Sequence, residues 1–154
     1  MGIVEEKIRS MGYEVPQCPE PVGAYVPATG VKEGILFVSG QTAIVDGKPK
    51  YVGKVGKEIS VDEAYDAARI SALRLLAEVK CVIGDLDRIK KILKVNGYVN
   101  AIPEFTQQPK VINGTSEFLE IVFGEKGKHA RAAIGVASLP DNAPVEVEMI
   151  IQYE

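Results

Sequence analysis

The clearest chemical signal in the chain is an arginine at the start of an otherwise apolar segment. Residues 131–138 (RAAIGVAS) are small or branched after the arginine, a composition typical of a packed strand. Arg131 thus brings a permanently charged guanidinium with five donors to a packed element. Between small apolar walls, such a group binds a carboxylate through two charge-assisted hydrogen bonds. We expect Arg131 to anchor a small carboxylate ligand, with a structural salt bridge as the alternative.

Two glutamates form a second chemical group near the end of the chain. Glu146 and Glu148 lie in the alternating segment 145–153, and residues i and i+2 of a strand share one face. Neighbouring acids near a basic partner can have raised or split pKa values, which suits proton transfer at neutral pH. The alternative is a polar edge strand with two solvated glutamates.

Other common chemistries have little support. Serine nucleophiles need a base and an orienting acid, and the one histidine, His129, has no supporting pattern around it. Cys18 and Cys81 form neither a CxxC motif nor a metal-ligand spacing. A structural zinc site would therefore lack its usual ligands, and we expect no metal.

Periodicity and capping signals predict the elements that position these residues. Ser60 and Glu63 form a capping box, and the helix that they begin runs to about Val82 with small residues on one face. Gly84 ends this helix, and a second helix, weakened by Gly114, begins near Pro109. The other predicted elements are a short helix over 2–11, a tight turn within 45–51, and strands over 34–39, 88–100 (with Leu93, Val95 and Val99 inward), 131–138 and 145–153.

The order of these elements predicts an α/β fold in which one sheet carries both long helices on one face. In the last two strands both alternating sets of residues are substantially apolar, including Ile134 and Ile150. The helices cover only one face, so the other face needs a cover as well. In a chain this short the natural candidate is another copy of the same chain.

Length and charge restrict the class of protein. The 154 residues are predicted to form one domain, 1–154, in which residues 1–20 provide the N-terminal helix and an extended lead-in. A balance of 18 basic and 21 acidic residues, without a basic stripe, argues against nucleic-acid binding. No apolar run approaches membrane-spanning length and no targeting segment is recognisable, so we expect a cytoplasmic protein without a membrane partner.

The C-terminal residues also carry a family resemblance. Arg131, the small residues after it, Leu139-Pro140 and the VEVE sequence of 145–148 resemble the signature of the Rid family, the YjgF-like reactive intermediate deaminases. Further matching segments are 23–25, 36–41 and the region around Asn113. The resemblance covers the chain from about Pro21 to the end and leaves the earlier segment outside. It implies a chorismate-mutase-like fold with a mixed sheet, and a homotrimer with ligand clefts between subunits.

The resemblance also implies roles for individual residues. Arg131 would bind the substrate carboxylate, and Glu146 would position or activate the attacking water. The residues implied to line the cleft are Tyr25, Ser39, Gly40 and Asn113. For Tyr25 and Asn113, an ordinary surface or capping role is the alternative. Many Rid deaminases carry Ser-Cys or a similar pair directly after the arginine, whereas this chain has Ala132 and Ala133. The N-terminal extension also departs from the family pattern, and the resemblance is closest to a longer, less characterised branch of the family.

Two functions of different classes follow from the resemblance. The first is hydrolytic deamination of small enamines or imines derived from amino acids, such as 2-aminoacrylate, to 2-oxo acids and ammonia without a cofactor. The second is a non-catalytic or regulatory protein that binds small carboxylates in the same cleft, which the absence of a hydroxyl or thiol after Arg131 favours slightly. The family's older label of endoribonuclease fits an acidic chain without an aromatic stacking surface least well.

Overall fold

The computed structural model describes residues 2–31 and 34–154. Their helices and strands follow the predicted order. The elements are α1 (Ile3–Ser10), β1 (Ala28–Val31), β2 (Ile35–Thr42), β3 (Ile44–Val45), β4 (Lys48–Pro49), α2 (Val61–Ile83), β5 (Ile89–Asn100), α3 (Gln108–Phe123), β6 (Ala130–Val136) and β7 (Val145–Tyr153). Short 3-10 turns precede β5 and follow α3 and β6.

The main sheet has five strands in the order β1-β2-β7-β5-β6. β5 and β6 are parallel, and the other neighbours are antiparallel. The parallel connection runs through α3, as a crossover between parallel strands requires. β3 and β4 form a separate hairpin whose turn residues Asp46 and Gly47 both have positive φ, the conformation predicted by the Asp-Gly pair. The prediction of a mixed α/β sheet is confirmed.

The two long helices pack against one another and against the same face of the sheet. The capping box at Ser60 is formed as predicted, because Ser60 Oγ accepts from the Glu63 amide at 3.1 Å and the Glu63 carboxylate accepts from the Ser60 amide at 2.8 Å. Gly114 lies in the middle of α3, where a Cβ atom would stand 2.0 Å from the Tyr65 carbonyl oxygen of α2. The residue that lowers the helix propensity of α3 therefore permits the close contact between the helices.

The hydrophobic core lies between the helices and the sheet. β7 alternates strictly, with Val145, Val147, Met149 and Ile151 all buried on the helix side. The other face remains partly apolar, since Phe37 is 47% exposed and Ile134 is 49% exposed. Both faces of the sheet thus carry apolar side chains, and the cover of the second face by another copy remains a prediction. In the described part of the chain, no helix is long and apolar enough to span a membrane.

One predicted core position is wrong. The pairing between β5 and β7 shifts its register between Ile92 and Lys94. Ile92 is fully buried, whereas Leu93 is only half-buried. A one-residue irregularity exchanges the two faces of a strand, so Ile92 enters the core in place of Leu93, while Val95 and Val99 point inward as predicted.

The N-terminal segment is attached to the body of the fold at two points. The amides of Ile3 and Val4 donate to the Asp87 carboxylate at 2.7 and 2.8 Å, which satisfies the first free donors of α1. Further along, a disulfide joins Cys18 to Cys81 in the last turn of α2. Sequence spacing gave no sign of this bond, because the two cysteines are 63 residues apart.

We predict that loss of the disulfide destabilises the protein. The bond closes a loop of 63 residues, and loop-closure entropy of that size corresponds to about 2 to 4 kcal/mol of stability. Thermal unfolding with and without dithiothreitol should show a fall of roughly 5 to 15 °C in Tm. The double variant Cys18→Ser/Cys81→Ser is the control and should not respond to the reductant. Equal Tm values for the oxidised and fully reduced wild type would contradict the prediction.

Candidate functional site

The structure separates the predicted site residues into two groups. Tyr25, Ser39, Gly40 and Glu146 border one cavity of about 490 Å³. Arg131 is not among the residues that border it, and its guanidinium instead bonds to α3. Asn113, which the resemblance implies as a cleft residue, also lies on α3 and contacts Arg131.

Strand alternation explains the separation. Arg131 pairs with Val95, which pairs in turn with Met149, and both of these partners are buried on the helix side. Glu146 pairs with Tyr98, which lies on the opposite, uncovered face. Because neighbouring residues across a sheet share a face, Arg131 and Glu146 are on opposite faces and do not converge within one chain.

A β-bulge in β2 shapes the wall of the cavity. Val38 lies opposite Met149 and Gln41 lies opposite Val147, so β2 has one more residue than β7 between these pairs. The extra residue brings both Ser39 and Gly40 to the cavity. A Cβ atom on Gly40 would stand 2.3 Å from Glu146 Oε1. The Glu146 carboxylate therefore lies directly against the Gly40 backbone, where only a glycine leaves room for it.

Ser39 joins the segment after Tyr25 to the sheet through two hydrogen bonds. Its hydroxyl donates to the Val26 carbonyl at 2.6 Å, and its amide donates to the Pro27 carbonyl at 2.9 Å. The Tyr25 hydroxyl accepts from the Val22 amide at 3.3 Å, and the ring is 43% exposed. Ser39 thus acts as a donor to backbone in this state, while the Tyr25 side chain is free to contact a ligand in the cavity.

The two glutamates of β7 have different surroundings. Glu148 accepts from the Tyr98 hydroxyl at 2.6 Å and from Asn96 Nδ2 at 3.2 Å. The bond to Glu148, together with burial, raises the pKa of Tyr98 to about 12. Glu146 has no hydrogen-bonded side-chain partner in 2–31 and 34–154, and burial followed by the charge of Glu148 raises its pKa. Glu146 is therefore the acid of the pair that combines a raised pKa with oxygens available for proton exchange with a ligand.

Arg131 is held by neutral acceptors. Its Nη1 donates to Asn113 Oδ1 at 2.8 Å and to Ser116 Oγ at 3.2 Å, and Nη2 donates to the Pro109 carbonyl at 3.4 Å. Among the described residues no carboxylate lies within 4.0 Å of the guanidinium. The charge of Arg131 is thus oriented but not neutralised, which suits an external anion.

A serine and a histidine that sequence reasoning did not connect lie beside Arg131. Ser116 Oγ is 2.8 Å from His129 Nε2, and His129 Nδ1 is 2.5 Å from the Gly127 carbonyl oxygen. Burial lowers the pKa of His129, which favours the neutral ring. A proton on Nδ1 satisfies Gly127 and leaves Nε2 to accept from Ser116, so the pair fixes the hydroxyl that receives the Arg131 bond.

A second polar network consists of Gln41, Arg74 and Glu78, of which Gln41 and Arg74 border the cavity. Gln41 Oε1 accepts from Arg74 Nε at 2.9 Å, and Gln41 Nε2 donates to Glu78 Oε1 at 2.8 Å. Glu78 is 1% exposed, and its Oε2 has no partner among the described atoms. Burial raises the pKa of Glu78 to about 8. Sequence reasoning missed this network, although an arginine and a glutamate four residues apart on an apolar helix face were a visible signal.

The expectation that the protein holds no metal stays a prediction. Residues 2–31 and 34–154 contain no group of three or more His, Cys, Asp or Glu side chains placed to hold a metal ion. Within these residues, the cavity offers carboxylates, hydroxyls and one guanidinium, which are groups for binding and proton transfer.

Comparison with known proteins identifies relatives along nearly the whole chain. A family model described as "YjgF/chorismate mutase-like, putative endoribonuclease" matches residues 5–152. The match includes most of α1 and the lead-in, so the expectation that the segment before Pro21 lies outside the family pattern is wrong. The chain is 38% identical over 154 residues to Protein TCP17 of Trypanosoma cruzi, covering 98% of this chain and 94% of that protein.

Two further relatives bear on fold and function. The crystal structure of Atu1372 from Agrobacterium tumefaciens, described as a protein of unknown function, superposes with a TM-score of 0.92 at 40% identity, covering 99% of this chain and 93% of that one. A 2-iminobutanoate/2-iminopropanoate deaminase of Dermatophagoides farinae is 27% identical over 141 residues, covering 90% of this chain and 93% of that protein.

We predict that Glu78→Gln removes a pH dependence of stability. The pKa of Glu78 is about 8 in the folded chain against an ordinary value of 4.5. The stability that its raised pKa contributes is fully present below pH 4.5 and is lost as pH rises through 8, by at most roughly 1.4 kcal/mol per pH unit. Urea unfolding at pH 5 and pH 8.5 should show a smaller loss for Glu78→Gln than for wild type. The exposed Glu120→Gln is the control, and equal losses in wild type and Glu78→Gln would refute the assignment.

Proposed function

The chain belongs to the YjgF/chorismate mutase-like family, and on this basis we propose that it hydrolyses small enamines and imines derived from amino acids. The products are 2-oxo acids and ammonia. The observation that carries the proposal is Glu146, an acid with a raised pKa and no side-chain partner among the described residues, at the wall of a ligand-sized cavity. A distant relative with a deaminase name supports the same reaction class.

The complete site is proposed to form between copies of the chain. Arg131 and Glu146 lie on opposite faces of the sheet, so one chain cannot bring both to a small substrate. The uncovered face carries partly exposed Phe37 and Ile134 around the glutamates, and such a face is suited to self-association. In a homotrimer, Arg131 of one subunit would meet the Glu146 cavity of its neighbour.

The proposed reaction requires one carboxylate anchor and one proton-transfer group. The free donors of Arg131 bind the substrate carboxylate, and Asn113 keeps the guanidinium in place. Glu146 takes a proton from water as the water oxygen adds to the imine carbon. This proton passes to the nitrogen and gives a carbinolamine. Glu146 then takes the proton of the new hydroxyl and passes it to the amino nitrogen, so that the C–N bond breaks and ammonia leaves as the carbonyl forms. Water is the only co-reactant, so no cofactor is required.

An enamine enters the same path after one additional proton transfer. 2-Aminoacrylate becomes the imine when its methylene carbon gains a proton and its nitrogen loses one. The protonated form of Glu146 can donate the first proton, because burial raises the pKa of this acid. Tyr25 borders the same cavity and supplies a hydroxyl that can orient the substrate or the water. The catalytic demand is modest, since orientation and one acid-base group suffice.

The alternative is a non-catalytic protein that binds small carboxylates in the same cleft. The observation in its favour is the absence of side-chain hydroxyls and thiols at the two positions after Arg131, where Ala132 and Ala133 stand. RNA cleavage is not adopted as a proposal. The acids that border the cavity are Glu20, Asp141, Glu146 and Glu148, and they would repel a phosphate backbone.

We predict that Arg131→Ala and Glu146→Gln each lower kcat/KM for ammonia release by about a hundredfold or more. The first loses charge-assisted carboxylate bonds and the second loses the acid-base group. Enzymatically generated 2-iminopropanoate is the substrate. The exposed Lys110→Ala and Glu104→Gln are matched controls and should retain the wild-type rate. If the wild-type rate equals that of spontaneous hydrolysis while pyruvate still raises Tm, the deaminase proposal is wrong and the chain is a non-catalytic carboxylate-binding protein.

The Arg131→Ala and Glu146→Gln variants also test whether the cleft is formed by residues of two chains. When the Arg131→Ala and Glu146→Gln chains are co-expressed and assemble at random, about a quarter of clefts combine an intact Arg131 with an intact Glu146 from a neighbour. Activity should therefore return in the mixture. Chains that remain inactive after mixing, with mixed oligomers verified by mass spectrometry, would exclude a site shared between copies.

We predict that protonation of Glu146 causes the fall of kcat/KM on the acidic side of its pH profile. Burial and the charge of Glu148 raise the pKa of Glu146, so kcat/KM should rise with pH through a value above the ordinary 4.5 of a glutamate. Glu148→Gln removes the like charge and should move this limb to lower pH. A limb at the same pH in wild type and variant would show that Glu146 is not the group that titrates.

A further inference from the structure

Arg74 is a cation at the cavity that the proposed reaction does not use. Its Nε donates to Gln41 Oε1 at 2.9 Å. No other hydrogen bond and no carboxylate within 4.0 Å engages the guanidinium among the described residues. The side chain is half-buried and borders the cavity. A guanidinium stays charged in such a position, so its four remaining N–H donors are available to a ligand.

A purely structural role would be to neutralise Glu78, one turn further along α2. Glu78 Oε2 has no partner among the described atoms, yet Arg74 does not bond to it. Gln41 stands between the two and is bonded to both. Burial also raises the pKa of Glu78 to about 8, so Glu78 is mostly uncharged at pH 7. Gln41 thus orients the arginine while its charge remains without a counter-ion.

The size of the cavity leaves room between Glu146 and Arg74. Its volume of about 490 Å³ exceeds what a three-carbon imino acid fills, and both residues border it. Of the other acids, Glu20 and Asp141 are exposed to solvent and screened by it. Glu148 is occupied by Tyr98 and Asn96. A substrate whose reacting carbon lies at Glu146 can therefore extend a side chain toward Arg74.

We propose that Arg74 binds a second carboxylate, at the end of the substrate side chain, and so selects imines of dicarboxylic amino acids such as glutamate. The inference rests on the proposed deaminase function and leaves the first carboxylate to Arg131. Arg74 acts as a specificity-determining residue, and Gln41 and Glu78 position it. The guanidinium presents paired donors that match a carboxylate, and a neutral amide of the same shape lacks the charge to engage it equally.

The test compares a charged substrate with its neutral isostere. Amino-acid oxidases generate the imines of glutamate and of glutamine in situ, and ammonia release is followed for wild type, Arg74→Gln and Arg74→Lys. Wild type should favour the glutamate imine, and Arg74→Gln should reduce the ratio of the two kcat/KM values by about ten- to a hundredfold, the range of a charge-assisted hydrogen-bond pair. Arg74→Lys should retain part of the ratio because it keeps the charge.

Binding measurements separate this inference from the proposed function. Calorimetry with 2-oxoglutarate and 2-oxoglutaramate, its side-chain amide, needs no turnover. If wild type prefers 2-oxoglutarate and Arg74→Gln loses the preference, Arg74 binds the second carboxylate even when no imine hydrolysis is found. A wild type without the preference, or an Arg74→Gln variant that keeps it, overturns the inference whatever the deaminase activity.

A control variant excludes a general effect of charge or folding. Lys80→Gln makes the same change of charge on α2, but Lys80 pairs with Glu5 and does not border the cavity. It should keep the wild-type ratio for both imines and both oxo acids. Circular dichroism and Tm show whether the Arg74→Gln chain folds. If it does not fold, Arg74→Lys is the test variant. A ratio of the two kcat/KM values in Arg74→Lys equal to that of wild type would then contradict a specific role of the guanidinium.

Discussion

Strand alternation in β7 is the constraint on which the rest of the structure depends. Every second side chain of this strand is buried under the helices, from Val145 to Ile151. The residues between them, including Glu146 and Glu148, are therefore directed to the uncovered face. β7 has a strand on each side within the sheet, so the same alternation extends to its neighbours. It places Arg131 with the core residues and the acids with the open face.

The two faces of the sheet therefore carry different chemical groups, a guanidinium on the helix side and carboxylates on the open side. The helix side holds Arg131 on neutral acceptors, with Asn113 and Ser116 fixing its direction. The open side presents Glu146 against the Gly40 backbone, beside apolar residues that a solvated surface would not need. We propose that these two groups are the halves of one site, which a symmetric assembly completes because each copy supplies one half to a neighbour.

The cavity is also connected to the interior of the fold. The bulge in β2 directs Ser39 and Gly40 to the cavity and keeps Gln41 on the core side, where it joins Arg74 to Glu78. A buried acid with an unpaired oxygen costs stability, and such a cost is commonly retained at functional positions. The network supplies the cavity with an oriented positive charge among several acids, and we propose that this charge binds a second substrate carboxylate.

Local signals in the sequence determined much of this protein. The capping box at Ser60, the Asp-Gly turn, the small face of α2 and the alternation of β7 depend on neighbours along the chain, so the element order and the mixed α/β class followed from them. The types of the candidate residues Arg131 and Glu146 were visible for the same reason.

Other features depend on partners far away in sequence. The bond of Cys18 to Cys81 and the burial of Ile92 in place of Leu93 arise from tertiary pairing and register, because contact across a sheet or between helices leaves no local pattern. The spacing of Arg74 and Glu78 was visible in the sequence, but their connection through Gln41 of β2 was not. Only the three-dimensional arrangement decided that Arg131 and Glu146 are on opposite faces, since that depends on how β6, β5 and β7 pair.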